Sequence, residues 1–263
     1  MRTALQDNPL KKGKTLFLFD IDGTLCESRL EFKPNMVQFL RNLSQKKDID
    51  IAVVTCTNMK NAKRELKEAF SCFKAFYTEN GVVSYDKDLN IIFRKQMKDL
   101  MGEEKYNNLI KFISECLENA EVPFRVGHCI DERCGVINVS PVGNPITNEQ
   151  RKQYKIWEKE HQTVEKMRKK CEEKFGEKYK LRFTKGGVKS FDIYPMGWDK
   201  TFCLNFIKGY DNILFFGDTT YPGGGDYYLA VHERITKGIY VKNPEDTIYK
   251  ASKLLQEIES MWK

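Results

Sequence analysis

The stretch FLFDIDGTL, residues 17–25, decides the fold of this 263-residue chain. A run that is apolar at nearly every position, residues 15–19, leads directly into Asp20, and Asp22 follows shortly after. Such a run is typical of a parallel strand that helices cover on both faces. A hairpin with an Asp-Gly turn is the alternative, but the segment CESRLEFK that follows does not alternate like a returning strand. The motif therefore predicts a buried strand that delivers two carboxylates to its end.

Two further apolar runs have the same form. Residues 49–54 run into Thr55, residues 213–216 run into Gly217 and Asp218, and helix-like segments such as 33–45 and 59–70 lie between the runs. Alternation of strand and helix predicts the α/β class, with a doubly wound, mainly parallel, Rossmann-like sheet. Ligands of such sheets bind beyond the carboxyl ends of the strands, where all three runs would place polar residues.

The middle of the chain has a different pattern. Residues 103–117 carry an apolar stripe at helical spacing, and VPFRVGHCI, GVINVS, KYKLRFT and KSFDIYP are typical of strands joined by turns. Between the strand pairs, TNEQ (147–150) is a capping-box signature that opens a long polar helix through about 174. This pattern predicts an inserted α+β domain over 91–194, with the first domain formed by 1–90 and 195–263.

Composition excludes several classes of protein. With 41% hydrophobic and 31% charged residues the chain has an ordinary globular composition. No apolar run approaches the roughly 18 residues of a membrane span, and MRTALQDNPLKKGK at the start lacks the apolar stretch of a signal peptide. We therefore expect a cytoplasmic protein with no membrane partner.

The cysteines and the charge are consistent with that compartment. The eight cysteines are scattered without a CxxC pair, which favours reduced thiols; Cys129 and Cys134 lack a second ligand pair for zinc. The formal charge of +7 suits an anionic ligand. Because no basic run is interleaved with aromatic residues, we expect no nucleic-acid partner.

The polar residues at the predicted strand ends suit phosphoryl transfer. Asp20 could attack phosphorus and form an aspartyl phosphate, while Asp22 could protonate the leaving oxygen. Thr57 offers a hydroxyl to the phosphoryl group and Lys200 a fixed positive charge. Further carboxylates come from Asp218 and from Asp226 in YPGGGD, and Mg²⁺ needs few protein oxygens besides its waters. Positioning and neutralisation of charge are the main requirements of this chemistry.

These motifs resemble those of the haloacid-dehalogenase (HAD) superfamily, which combine DxDGT, a Thr after the second strand, a Lys and a final GD…D. Within it, the chain resembles the eukaryotic phosphomannomutases over nearly its whole length. The matching stretches are YTENGVVSY (77–85), ERCGVINVSPVG (132–143), SFDIYPMGWDK (190–200), FFGD…YPGGGD (215–226) and NPEDT (243–247). The resemblance implies a HAD core with an α+β cap that determines substrate specificity.

The resemblance also implies roles for individual residues. Asp20 would be the nucleophile and Asp22 the general acid and base. Mg²⁺ would be held by the Asp20 carboxylate, the Asp22 backbone carbonyl and Asp218, and Asp226 is the fourth predicted metal-binding residue. The implied substrate-binding residues are Arg29 in the core and Arg133, Asn144, Arg151, Ser190 and Asp192 in the cap. Ser190 and Asp192 would share one face of a strand, which agrees with that assignment.

A family member would interconvert mannose 6-phosphate and mannose 1-phosphate, with mannose or glucose 1,6-bisphosphate as activator, and would supply GDP-mannose synthesis. It would form a homodimer through the cap. The resemblance leaves a preference for mannose or glucose open.

The chain departs from the family pattern at several positions. Asn144 replaces an arginine, which removes a bidentate contact to phosphate. The segment 55–58 is Thr-Cys-Thr-Asn where the family has Gly-Gly-Ser-Asp, and Thr219 replaces a lysine. A second cation site would match only with one inserted residue, through Glu233 and Thr236.

Two alternatives to a mutase stay open. A sugar-phosphate or hexose bisphosphate phosphatase would use the same nucleophile with water as acceptor, and the neutral Asn144 favours it. A catalytically silent sugar-phosphate-binding protein is the third reading, against which the intact Asp20, Asp22, Lys200 and Asp218 argue.

Overall fold

The computed structural model describes residues 4–27 and 32–262. The chain forms two compact units, a core unit of Met1–Arg94 with Asp199–Lys263 and an inserted unit of Lys95–Trp198. The sequence predicts these boundaries at 90/91 and 194/195.

The strands belong to two separate sheets. The core unit holds a seven-stranded sheet in the order β11-β10-β1-β2-β3-β4-β5, and the inserted unit holds a four-stranded sheet in the order β6-β7-β9-β8. The strands are β1 Thr15–Phe19, β2 Ile49–Val54, β3 Ala75–Thr78, β4 Val83–Asp86, β5 Ile91–Arg94, β6 Val126–Glu132, β7 Ile137–Asn144, β8 Leu181–Gly186, β9 Ser190–Pro195, β10 Asn212–Gly217 and β11 Lys237–Tyr240.

The helices are distributed over both units. They are α1 Pro34–Ser44, α2 Met59–Leu66, α3 Met97–Met101, α4 Glu103–Glu118, α5 Asn148–His161, α6 Thr163–Tyr179, α7 Tyr227–Ala230 and α8 Pro244–Ser260. In the described part of the chain, no helix is both long and apolar enough to cross a membrane.

The centre of the large sheet explains its continuous apolar runs. Strands β11, β10, β1, β2 and β3 are parallel, and every residue of β1 is buried. Alternate residues of β1 pack into the hydrophobic layers on its two faces. On one face, Phe17 and Phe19 stack on Phe216 at ring-centroid distances of 5.8 and 4.9 Å. On the other face, Leu16 and Leu18 belong to the second layer. Because both faces are covered, the strand is apolar at successive positions instead of alternating. The predicted α/β fold with its mainly parallel sheet is confirmed.

One edge of the large sheet is antiparallel. Strand β4 pairs antiparallel with β3, and β5 pairs antiparallel with β4. These strands have only four residues each, so their sequences carry too little periodicity to predict them.

The inserted unit has the predicted antiparallel sheet. Its apolar pairs Val139–Phe191 and Ile137–Ile193 are buried, and α6 packs on β7, β8 and β9. On the opposite side of the strands, Asn138 pairs with Asp192. The sheet thus has an apolar face under its helix and a second face that carries polar side chains.

The prediction of a single long polar helix through about residue 174 is wrong, because the structure has two helices there. The chain ends α5 at His161, adopts a left-handed conformation at Gln162 (φ 51°) and begins α6 at Thr163. The buried carboxylate of Glu158 accepts a hydrogen bond from the backbone N–H of Val164, at 3.1 Å to Oε2. This side chain replaces the helical acceptor for that N–H, which makes the break locally stable. The capping box at Thr147 and Gln150 is present as predicted.

Candidate active site

The polar residues predicted at the strand ends of the core unit meet at one edge of the sheet. Strand β1 lies between β2 and β10 and is parallel to both, in a register that pairs Phe19 with Val53 and with Phe216. Asp20 therefore leaves the sheet beside the end of β10, and its backbone N–H still donates to Phe216 O at 2.9 Å. Asp218 is the first residue beyond β10. Adjacent parallel strands thus bring two carboxylates together.

Lys200 joins two carboxylates in a buried ion network. Its Nζ lies 2.5 Å from Asp20 Oδ1 and 2.7 Å from Asp226 Oδ1. All three side chains are buried, and Asp226 is 0% exposed. The other oxygen of Asp226 accepts hydrogen bonds from the backbone N–H and the hydroxyl of Thr219, at 3.0 and 2.8 Å. Asp226 therefore fixes the lysine, and the lysine fixes Asp20.

The buried cluster holds more negative than positive charge, and this excess shifts the pKa values of its members. Burial raises the pKa of Asp20 well above its ordinary value; Lys200 opposes this rise, and Asp226 and Asp218 add to it. Burial also raises the pKa of Asp218 to about 6, with a further contribution from Asp226 and a smaller one from Asp22. For Lys200, burial alone would lower the pKa, but Asp20 and Asp226 raise it well above the ordinary value. One ammonium thus faces several carboxylates, which further positive charge would stabilise.

The cluster fits a hard divalent cation. Ligand oxygens of Asp20, Asp218 and Asp226 lie within 4.8 Å of one another. Among the described residues, this is the only group of three or more His, Cys, Asp or Glu side chains that lie close enough to share a metal ion. An all-oxygen, net negative set is what Mg²⁺ binds in proteins. Glu233, which the sequence places near a second cation site, is exposed, and the hydroxyl of Thr236 accepts a hydrogen bond from the backbone N–H of Ile213 at 3.0 Å.

Two glycines make room for these carboxylates. A Cβ atom on Gly23 would lie 2.3 Å from Asp218 Oδ2, and Gly23 has a positive φ of 82°. A Cβ atom on Gly217 would lie 2.6 Å from the carboxyl group of Asp226. Only glycine permits the backbone to approach the acidic side chains this closely.

The loop after β2 is held by a hydrogen bond within the loop and by two more from a neighbouring turn. The hydroxyl oxygen of Thr55 accepts from Thr57 N–H at 3.2 Å, and Thr57 is buried. The turn Glu79–Gly81 donates backbone N–H groups to this loop, from Glu79 to Thr57 O and from Asn80 to Thr55 O. A Cβ atom on Gly81 would lie 2.7 Å from the backbone nitrogen of Cys203, in the helical turn that begins at Lys200.

One turn therefore supports the loop of Thr57 and also contacts the turn of Lys200. The motif YTENGVVSY contains this turn, so its signal was available in the sequence. Its structural role could only be seen from the fold.

The residues predicted to bind substrate are placed on several elements of the inserted unit. Ser190 and Asp192 lie on the same face of β9, as predicted; Ser190 Oγ donates to Gly186 O at 2.7 Å, and Asp192 Oδ1 accepts from Asn138 Nδ2 at 2.7 Å. Arg133 lies in the turn before β7, where its Nη2 is 2.7 Å from Asp131 Oδ2.

The remaining predicted residues lie at element ends or outside the described ranges. Asn144 is the last residue of β7, and Arg151 lies in the first turns of α5, half-buried. Arg29 lies outside the described residues.

The comparisons with known proteins agree with this fold. A haloacid dehalogenase-like hydrolase from Bacteroides thetaiotaomicron has a similar structure, with a TM-score of 0.56 and 13% sequence identity, over 90% of this chain and 92% of that one. At such low identity the likeness concerns the fold alone. The architecture thus belongs to the class of HAD-like folds.

The family is shown by sequence. The family model for eukaryotic phosphomannomutase matches residues 36–257. The phosphomannomutase of Dendrobium officinale is 37% identical over 233 residues, covering 88% of this chain and 90% of the relative. The phosphomannomutase of Schizosaccharomyces pombe is 37% identical over 250 residues, covering 93% and 95%. The chain belongs to the eukaryotic phosphomannomutase family.

Proposed function

We propose that this chain interconverts mannose 6-phosphate and mannose 1-phosphate through a phosphorylated Asp20. Family membership supports the proposal, and one structural observation carries it: the Asp20 carboxylate is held 2.5 Å from the buried ammonium of Lys200 beside further carboxylates. A binding protein would have no use for a desolvated nucleophile held in this way, since burial of such a cluster is costly.

The phosphoryl group moves in two steps. In the first, a carboxylate oxygen of Asp20 forms a bond to phosphorus of a hexose 1,6-bisphosphate, the bond from phosphorus to the sugar oxygen breaks, and Asp22 gives that oxygen a proton. In the second, the free hydroxyl of a hexose monophosphate gives its proton to Asp22, attacks phosphorus and releases Asp20. Each cycle returns a bisphosphate, so mannose or glucose 1,6-bisphosphate acts as activator.

Other residues of the core unit stabilise the charge of the transferring group. Lys200 holds the nucleophile and neutralises charge beside it, and Thr57 offers a hydroxyl to a phosphoryl oxygen. We propose Asp20, Asp218 and the backbone carbonyl of Asp22 as the protein ligands of Mg²⁺, with Asp226 acting through Lys200 and the shared acidic environment. When bound, the Mg²⁺ ion would supply positive charge to the phosphoryl oxygens.

The inserted unit would recognise the sugar and its second phosphate. We propose Arg133, Arg151, Ser190 and Asp192 as its contacts to the substrate. Asn144 of the same unit and Arg29 of the core unit are the two further substrate-binding residues that the resemblance implies. Family resemblance further supports a cytoplasmic homodimer that supplies mannose 1-phosphate for GDP-mannose synthesis. Analytical ultracentrifugation of the full chain tests the dimer, since a monomer at micromolar concentration would contradict it.

A phosphatase is the second candidate, and Asn144 favours it. A neutral amide in place of an arginine weakens capture of the phosphate that does not react, so that water could take the phosphoryl group of Asp20 instead.

Phosphorus NMR separates the two candidates. The chain is incubated with Mg²⁺, mannose 1-phosphate and a trace of glucose 1,6-bisphosphate, with the Asp20→Asn variant as control. A mutase produces mannose 6-phosphate while the inorganic phosphate signal stays flat. Inorganic phosphate without mannose 6-phosphate would reject the mutase and support the phosphatase.

A further inference from the structure

The inserted unit contains a buried lysine to which the family resemblance gives no role. Lys189 precedes β9 and is only 2% exposed. Burial of an ammonium is costly unless the group has partners or a purpose, so its surroundings are informative.

The ammonium of Lys189 is held by oxygens at the end of β7. It donates to Asn144 Oδ1, to Gly143 O at 3.0 Å and to Ser140 Oγ at 3.4 Å. These three acceptors fix the position of the ammonium. Asn144 is also the residue that replaces an arginine of the family pattern. A cation on the neighbouring strand end thus lies directly against the position where the family's cation is missing.

A buried polar atom without a hydrogen-bond partner among the described residues, in the same part of the sheet, also indicates a ligand. Ser140 and Asn138 lie on one face of β7, and Asn138 faces Asp192 on β9. Asn138 is 5% exposed and donates to Asp192, but its Oδ1 atom is buried without a hydrogen-bond partner among residues 4–27 and 32–262. A buried acceptor without a donor is rare in proteins, and a sugar hydroxyl would satisfy it.

We propose that Lys189 is the cation of the inserted unit that binds the non-reacting phosphate of the substrate. It would take the role of the arginine that Asn144 replaces. This inference rests on the proposed function, because it concerns the grip on the same sugar phosphates. Asn144 and Gly143 become positioning residues for the ammonium. Lysine presents a point charge in place of the planar fork of arginine, so the contact is less directional.

Binding measured without turnover tests the inference separately from the proposed function. Glucose 1,6-bisphosphate is titrated calorimetrically, with Mg²⁺ present, into the Asp20→Asn form of the full chain and into the same form carrying Lys189→Met. We expect the dissociation constant to rise about tenfold to a hundredfold, because the variant removes the buried positive charge that would face the phosphate. The matched control is Lys185→Met on β8, an exposed lysine of the same sheet, which should leave the dissociation constant unchanged.

Returning the positive charge to the other strand end distinguishes a phosphate contact from a structural role. Asn144→Arg should restore binding at least tenfold in the Lys189→Met form. In the presence of Lys189 the same substitution places two cations side by side, so it should bring no gain.

Two outcomes would overturn the inference. The first is an unchanged dissociation constant in Lys189→Met. The second is a loss of affinity in Lys189→Met that Asn144→Arg does not restore, because Lys189 would then have only a structural role. Release of inorganic phosphate in place of mannose 6-phosphate would defeat the proposed function and would leave this binding comparison valid.

Discussion

The hydroxyl of Thr247 on α8 donates a hydrogen bond of 2.7 Å to the backbone carbonyl of Thr24, next to the loop of Asp22. Both residues are fully buried. Helix α8 begins just before, at a cap where Asn243 Oδ1 accepts from the backbone N–H of Asp246 at 2.9 Å. The C-terminal motif NPEDT thus supports the loop that carries Asp20 and Asp22, the two proposed catalytic aspartates.

Removal of that hydroxyl should affect both stability and turnover. Thr247→Val keeps the shape but leaves the Thr24 carbonyl without this donor, so the free energy of unfolding should fall by about 1–3 kcal/mol. Turnover should fall by about tenfold or more, because small displacements of catalytic groups are costly. Urea denaturation and initial rates measure both quantities. Tyr249→Phe removes an exposed hydroxyl from the same helix and should change neither; wild-type values for both quantities in Thr247→Val would refute the support role.

Gly23→Ala should disable the acidic cluster by displacing Asp218. Any non-glycine residue at this φ costs about 1–2 kcal/mol, and the added Cβ would also meet the Asp218 carboxylate at 2.3 Å. The control is Gly102→Ala, which has the same φ of 82° and no atom within 4 Å of the place that its new methyl group would take. We expect a similar backbone cost in both variants and loss of turnover, by about a hundredfold, in Gly23→Ala alone. Equal rates in the two variants would show that Asp218 tolerates the shift.

Asp50 should make the core unit sensitive to acid. Burial by itself raises the pKa of Asp50, but hydrogen bonds from Lys74, Tyr210 and Lys14 outweigh it, so that the pKa lies below its ordinary value. The Lys74 and Tyr210 contacts are 2.9 and 2.7 Å long. A carboxylate with a depressed pKa stabilises the fold above its unfolded pKa, and this contribution is lost as the pH falls through the folded value.

Asp50→Asn tests this dependence. The variant should be less stable than the wild type at pH 7, and the difference should shrink as the pH falls below about 4, since the unfolded pKa is about 3.9. Urea denaturation at several pH values measures it. Asp88→Asn, an exposed control, should follow the wild type at every pH. A constant difference for Asp50→Asn would contradict the assigned pKa direction.

The two aspartates of the motif should separate kinetically. Asp20→Asn should abolish both turnover and labelling of the protein by a ³²P-hexose bisphosphate, with little change in melting temperature. Asp22→Asn should slow formation and decay of the labelled protein by roughly 10²–10⁴-fold, the usual contribution of a general acid or base. Persistent labelling of Asp20→Asn would assign the nucleophile elsewhere.

The sequence predicts the core because its strands β1, β2 and β10 are buried on both faces. Continuous apolar runs ending in polar residues are a local signal, and parallel neighbours then place Asp20 and Asp218 together without further information. The capping box at Thr147 is equally local and is found as predicted.

Features that depend on tertiary contacts could not be predicted. The break at Gln162 depends on the buried carboxylate of Glu158, and the hydrogen bond from Thr247 to Thr24 joins residues far apart in the chain. Lys189 has the sequence context of an ordinary turn lysine before a strand. Only the neighbouring strand end, with Asn144, shows where its ammonium lies.

The separation of Asp20 and Lys200 by 180 positions has a consequence for how the protein is made. On the ribosome, β1 emerges early but lacks its neighbour β10 until translation is nearly complete, whereas every strand of the inserted unit has emerged before β10. Domains generally fold as units during synthesis. The nascent chain therefore carries a very apolar first strand with one unpaired edge for most of its elongation, and chaperone demand should centre on residues 15–19.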